Sequence, residues 1–141
     1  MSALVIDASV VAKWYLPETD SALADTLLET DNIFHAPDLL RVEIANIFRR
    51  NVAAGRVGRE AWNSAEAEVL RVVQQWHSDS DLLPDAYGIA VSVDLPIYDC
   101  LYLTLADRLR TTFLTADMRL LERIKHTQFA VLASDFKAFC R

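Results

Sequence analysis

A chain with three glycines in 141 residues, and with just over half of its residues hydrophobic, is neither low-complexity nor disordered. It has apolar surface enough to offset the entropy of ordering. Cysteine is scarcer still: Cys100 and Cys140 are too few and too unpatterned for a disulfide framework or a zinc site. No apolar run approaches the roughly 20 residues that span a bilayer. The first residues carry an acid where a secretory signal would carry a basic segment and a longer apolar core, so a cytoplasmic chain with no membrane partner is expected. Basic residues are also in deficit, 14 against 20 acids for a formal charge of −6. Taken whole, that argues against a nucleic-acid partner. If four of the acids belong to one metal site, however, 16 remain against 14, a nearly neutral surface with room for local basic patches. The length, 1–141, is that of one domain able to bury a real core.

What the chain does have is a regular alternation of elements. Leu4-Val5-Ile6 is a short apolar run followed by Asp7-Ala8-Ser9, a helix-opening set. A helical pattern covers 21–29, and 33–36 forms another strand-like run closed by Pro37. Leu40, Ile44, Ile47 and Phe48 recur at helical spacing over 39–54, where Gly55 supplies the stop. A second amphipathic pattern places Trp62, Ala65, Val69, Val72 and Trp76 on one face, with a weak strand signal near Trp76. Further helices are predicted over 84–93, 96–109 and 118–124, and strands at 113–114 and 129–132. Short apolar strands alternating with helices indicate an α/β fold, with a parallel sheet of four to five strands covered on both faces. Ligands of such sheets bind beyond the carboxyl ends of the strands, where Asp7 and Asp117 both fall.

Four acids stand out, each with an ordinary explanation beside the functional one. Asp7 and Asp117 follow strands and are placed to cap the next helix, a role worth about 1 kcal/mol. Glu43 sits inside a helix, where a solvated face or an ion pair one turn away is usual. Its neighbours at that spacing are Leu39, Leu40, Asn46 and Ile47, none of them basic. Asp99 has Leu95, Pro96, Tyr102 and Leu103 around it, although a first-turn acid is also favoured by the helix dipole. Two helical acids without local partners, plus two at strand ends, suggest one shared site. Gathered carboxylates raise one another's pKa, and a divalent cation removes the conflict. An all-oxygen ligand set favours Mg²⁺ or Mn²⁺ over zinc. His35, His77 and His126 form no pair at metal-binding spacing and read as surface or packing residues. Arg41, Arg49, Arg50, Arg56 and Arg59, and further on Arg119, Arg123 and Lys125, are either solvated helix faces or phosphate contacts.

The stretches VIDASVVAKWYL, PDLLRVEIANIFRR, PIYDCLYLTLAD and FLTADMRLL together resemble a PIN-domain ribonuclease, and within that group the VapC toxins of type II toxin–antitoxin systems. The likeness spans the chain, 1–141, as a single PIN domain. It implies a three-layer fold with strand order 3-2-1-4-5. It also implies a catalytic and metal-binding set at Asp7, Glu43, Asp99 and Asp117, with Asp7 and Asp99 as direct ligands. Ser9 and Thr115 match the hydroxyl residues beside the acids and would hydrogen-bond to them. Cys100 departs from the alanine that commonly follows the Asp, a small change in size. The activity implied is Mg²⁺-dependent hydrolysis of RNA, with Mn²⁺ able to substitute. The partners implied are an RNA substrate, a cognate VapB-like antitoxin and a second copy of the chain.

Other classes fit less well. A haloacid-dehalogenase-type phosphatase would want a second Asp where Ser9 stands. A receiver domain would want an acid pair, but Ile6 precedes Asp7. A non-toxin PIN nuclease for RNA processing remains open. So does a catalytically silent PIN-like module, although such a module would be free to lose the four acids.

Overall fold

The computed structural model describes residues 2–140. Five strands, β1 (Ala3–Ile6), β2 (Ile33–Pro37), β3 (Val73–His77), β4 (Phe113–Thr115) and β5 (Ala133–Asp135), form one sheet in the order β3-β2-β1-β4-β5. Every neighbouring pair is parallel. The intervening helices are α1 (Ala8–Tyr15), α2 (Ser21–Asp25), α3 (Leu39–Ala53), α4 (Ala61–Val72), α5 (Asp79–Val93), α6 (Ile97–Leu109) and α7 (Met118–Ile124).

Side-chain alternation and register fix the layers. Val5 pairs with both His35 and Phe113, so Phe113 points to the opposite face from Phe34. Trp14 of α1 packs on Phe34 with ring centroids 5.4 Å apart, and Tyr102 of α6 stacks on Phe113 at 4.9 Å. These two helices therefore cover opposite faces. The helix α3 packs on α1, α4 packs on α3 and β3, and α5 packs on α6, completing a three-layer α/β domain. The central strand β1 is sealed between them, with Leu4, Val5 and Ile6 buried. So is Leu101–Ala106 of α6, every residue of it. No single helix among the described residues is long and apolar enough to cross a membrane.

Three elements differ from the sequence expectation. Trp76 does not extend the stripe of α4. That helix stops at Val72, the chain turns extended at Val73, and two successive β-branched residues favour that change. Trp76 then sits in β3, paired with Ala36, so the weak strand signal prevails there. The 84–93 helix starts earlier, at Asp79, because the Ser78 side chain accepts from the Asp81 N–H and Asp79 and Asp81 favour its first turn. Pro84 is carried inside it. Finally, 129–132 is not a strand. The Thr127 hydroxyl accepts the Phe129 N–H at 3.1 Å and starts a 3₁₀ turn over Gln128–Leu132. The fifth strand is the three residues that follow, which pair with Phe113–Thr115. Gly55, at φ +73, ends α3 as its position in sequence implies.

His35 and His77 do meet, across β2 and β3, with Nδ1 of the first 2.9 Å from Nε2 of the second. The contact needs a proton on one nitrogen and a lone pair on the other, so at least one ring is neutral in it and the pair is lost when both are charged. Burial lowers both pKa values. The charge of His77 adds to that for His35, while Asp38 opposes it for His77. The pair therefore stabilises the fold above the unfolded-state histidine pKa of about 6.5, and that stabilisation is lost as pH falls through the lower folded values. Urea midpoints measured at pH 7.5 and pH 5.5 should fall further on acidification for the wild type than for a His35→Gln/His77→Gln variant. Equal falls would show that the pair carries no pH dependence.

Candidate metal centre at the carboxyl edge of the sheet

Asp7, Glu43, Asp99 and Asp117 line one cleft of about 230 Å³, together with Ala8, Ser9, Asn46, Ile47 and Arg50. Four separate elements deliver them. Asp7 follows β1, and its N–H extends the ladder to Leu114 O at 3.1 Å. Glu43 comes from the start of α3, Asp99 from the first turn of α6, and Asp117 from the loop after β4. A parallel sheet sends each chain crossing out over the same edge, which is why residues far apart in sequence share the cleft.

The capping explanation separates the two strand-end acids. Asp7 holds the N-cap position of α1 but makes no side-chain cap bond. Its Oδ2 instead accepts from Ser9 Oγ at 2.8 Å and Thr115 Oγ1 at 2.6 Å. Each of these hydroxyls also accepts a backbone N–H, Ser9 from Ala116 and Thr115 from Asp117, both at 3.0 Å. Each hydroxyl has a single proton and gives it to Asp7, so the two side chains clamp β1 to the β4–α7 loop through one carboxylate oxygen. Asp117 does cap α7, its Oδ1 accepting from the N–H groups of Arg119 and Leu120. It faces the cleft as well.

Glu43 has a partner that its own helix does not reveal. Tyr102 Oη, from α6, donates to its Oε1 at 2.6 Å, and the ring is 1% exposed. Asn46 lines the cleft and Tyr102 holds one of its acids from behind, and sequence reasoning missed both in those roles. The signal for Tyr102 was its place one helical turn after Asp99, on the same face. The two helical acids thus lack basic partners, as expected, but only Asp99 lacks a hydrogen bond to protein among the described residues.

Burial is the largest influence on each perturbed acid. It pushes Glu43 up to about 7, with the charges of Asp7, Asp99 and Asp79 adding and the Tyr102 hydroxyl opposing. Asp99 rises to about 6 through burial and the charges of Asp7 and Asp117, against the pull of Arg123. Asp7 is raised by burial despite its hydrogen bonds from Thr115, Ser9 and the Ala8 N–H. Tyr102 is held far above the ordinary tyrosine range, chiefly by burial, and so remains a donor.

The donor set suits a hard divalent cation. Asp7, Glu43 and Asp117 each commit one carboxylate oxygen to the contacts above, and the second is left to a ligand. Among the described residues no three carboxylate, imidazole or thiol groups stand close enough together to enclose one ion as placed. Like charges hold apart, and an ion would draw them in.

Two outcomes follow. Raised carboxylate pKa values stabilise the metal-free fold only below the unfolded values near 4. That stabilisation is lost as pH rises through about 6 for Asp99 and about 7 for Glu43. In chelator at pH 7.5, Asp99→Asn should melt at or above the wild type, and the gap should close toward pH 4. A large loss of stability would mark Asp99 as a structural cap instead. Tyr102→Phe keeps the ring stack and removes one hydrogen bond to a charged group, so chemical denaturation should show a loss of about 1–3 kcal/mol.

The comparisons with known proteins agree with this architecture. Residues 4–126 match the family model of the PIN domain. Ribonuclease VapC3 of Pyrobaculum aerophilum is 32% identical over 123 residues, covering 85% of this chain and 93% of that protein. Ribonuclease VapC1 of Mycobacterium tuberculosis is 28% identical over 120 residues, covering 85% and 90%. Among solved structures, PAE2754 from Pyrobaculum aerophilum superposes with a TM-score of 0.74 at 22% identity, over 98% of this chain and 86% of that one. VapBC2 from Rickettsia felis, bound to a DNA fragment from their promoter, gives 0.59 at 11% identity, over 94% and 98%. At those identities the two structures speak for the fold. The chain belongs to the PIN-domain family, among its VapC-type members.

Proposed function

We propose that this chain, read over 1–141 as a single PIN domain, is a Mg²⁺-dependent endoribonuclease acting as the toxin of a type II toxin–antitoxin system. That it is a nuclease follows from its family and its ribonuclease relatives. The observation that carries the finer reading is the cleft itself, where four acids from four elements meet and three of them keep one oxygen free of the protein.

Within this reading Asp7 and Asp99 hold the cation directly. Glu43 binds or orients a water, and Asp117 completes the set. Bound there, Mg²⁺ supplies the Lewis acidity that phosphodiester hydrolysis needs, with Mn²⁺ a substitute. Ser9 and Thr115 fix the Asp7 carboxylate so that Oδ1 is presented in one orientation. Tyr102 does the same for Glu43 and favours its charged form. Arranging the donors in advance removes reorganisation from the reaction. RNA as substrate and a VapB-like antitoxin as partner are supported by the VapC relatives and by the VapBC2 fold neighbour, and the proposed location is the cytoplasm. A homodimer is supported by the exposed apolar residues Leu83, Tyr87 and Val91, spaced four apart along α5.

Induced expression should stop bacterial growth with loss of RNA integrity, and Asp7→Asn at matched expression should do neither. In vitro that variant should cut RNA at least ~100-fold more slowly, beyond the usual loss from an outer-shell change. Mn²⁺ should raise the wild-type melting temperature by mass action, by about 2.7 kcal/mol of stability at 100 times its Kd, and the variant's by less. Equal toxicity from both would rule out cleavage at this site as the cause. No toxicity from either, with metal binding intact, would favour the RNA-processing nuclease or the silent module.

A further inference from the structure

We propose that a single strand of RNA crosses the cleft with its phosphates running from Arg50 on α3 to Arg119 and Arg123 on α7, the four carboxylates lying between them. This rests on the ribonuclease reading above and adds the route of the substrate.

Arg50 shares the cleft with the four acids. It stands two helical turns after Glu43, with Asn46 and Ile47 between them on the same face. Its guanidinium makes no ion pair or hydrogen bond among the described residues, although carboxylates line the same space. Six other bases are held by an acid: Lys13 by Glu18, Arg41 by Glu66, Arg71 by Glu68, Arg108 by Asp85, Lys125 by Glu122 and Lys137 by Asp135. On the far wall, Asp117 opens α7, and Arg119 and Arg123 follow one turn apart on one face. With Met118 and Glu122 they border an adjoining hollow of about 600 Å³. Glu122 is taken by Lys125, which leaves both arginines uncompensated. The charge of Arg123 reaches Asp99 across the cleft.

Uncompensated arginines on both sides of a metal-binding cleft suit a phosphate backbone, because the planar guanidinium meets phosphate oxygens in pairs. The acids alone would repel that backbone, so a divalent cation is needed before it binds. A cleft of about 230 Å³ has room for one phosphodiester link with its sugar. Met118, 46% exposed beside Arg119, gives an unstacked base an apolar surface to rest on. The overall acidity of the chain does not oppose this, since Arg50, Arg119 and Arg123 make no ion pair among the described residues.

The test is binding of a fluorescein-labelled 12-nucleotide RNA of mixed sequence to the full chain, read by anisotropy across a salt series. Ca²⁺ replaces Mg²⁺ to hold back cleavage. Arg50→Gln and Arg123→Gln should each weaken binding threefold or more at low salt. Each should also lower the slope of log K against log salt by about 0.7, the value for one phosphate contact on a single strand. Arg50→Lys keeps the charge and should keep the slope. Arg71→Gln removes an arginine that lies in a different hollow, with Asn32 and Gln74, and should bind like the wild type. All three side chains are exposed, and circular dichroism checks that each variant is folded. Unchanged slopes for Arg50→Gln and Arg123→Gln, in a protein that still cuts RNA in Mg²⁺, would overturn the route and leave the ribonuclease reading standing. A wild type that neither binds nor cuts RNA would overturn both.

Discussion

Carboxylates of like charge cannot share a cleft unless something holds each in place. In this chain the holding is divided among elements. Two hydroxyls from opposite sides of the β1–β4 seam secure Asp7. A tyrosine from the other helical layer secures Glu43, and the backbone of α7 secures Asp117. Asp99 relies on its place in the first turn of α6, where the helix dipole favours negative charge. The parallel sheet makes this division possible, since every strand of it ends at the same edge.

The bond from Tyr102 to Glu43 has a structural meaning beyond the acid it holds. Its two residues belong to helices that lie on opposite faces of the sheet, and they meet only past the ends of the strands. The tyrosine ring is anchored in turn on Phe113 of β4. A shift of α6 relative to the sheet would therefore reach Glu43 directly. The site and the packing of the layers are one mechanical unit.

Much of this was legible in the residues, for physical reasons that also explain the gaps. The helix of α3, its glycine stop and the bounds of α7 were set by strong local signals: apolar spacing, a positive φ that glycine tolerates, a capping acid. The apolar run Phe129–Leu132 reads as the last strand, while the strand itself, β5, follows directly after it as three half-buried residues, Ala, Ser and Asp, at the sheet edge. Trp76 fits a helical stripe and, more weakly, a strand, and only pairing with β2 decides between them. Glu43 and Asp99 stand out as charges without local partners, and Asp7 and Asp117 as acids at strand ends. Tyr102 was not singled out, because a tyrosine beside an acid in an apolar helix looks like core, and it is core except for its hydroxyl. The contact of His35 with His77 depends on strand register, which local spacing does not encode.

The division of the Asp7, Glu43 and Asp117 carboxylates into one oxygen kept by the protein and one left over has an evolutionary consequence. An amide side chain retains an acceptor oxygen for the inner contact and puts an NH₂ group where the ligand oxygen was. The codons for Asp and Asn, and for Glu and Gln, differ by a single base. On the proposed function, one mutation at Asp7, Glu43 or Asp117 would thus disarm the chain and leave its fold and outer surface intact. A disarmed copy would still present the same face to anything that recognises the active one, and so would act as a decoy in the cell that carries both.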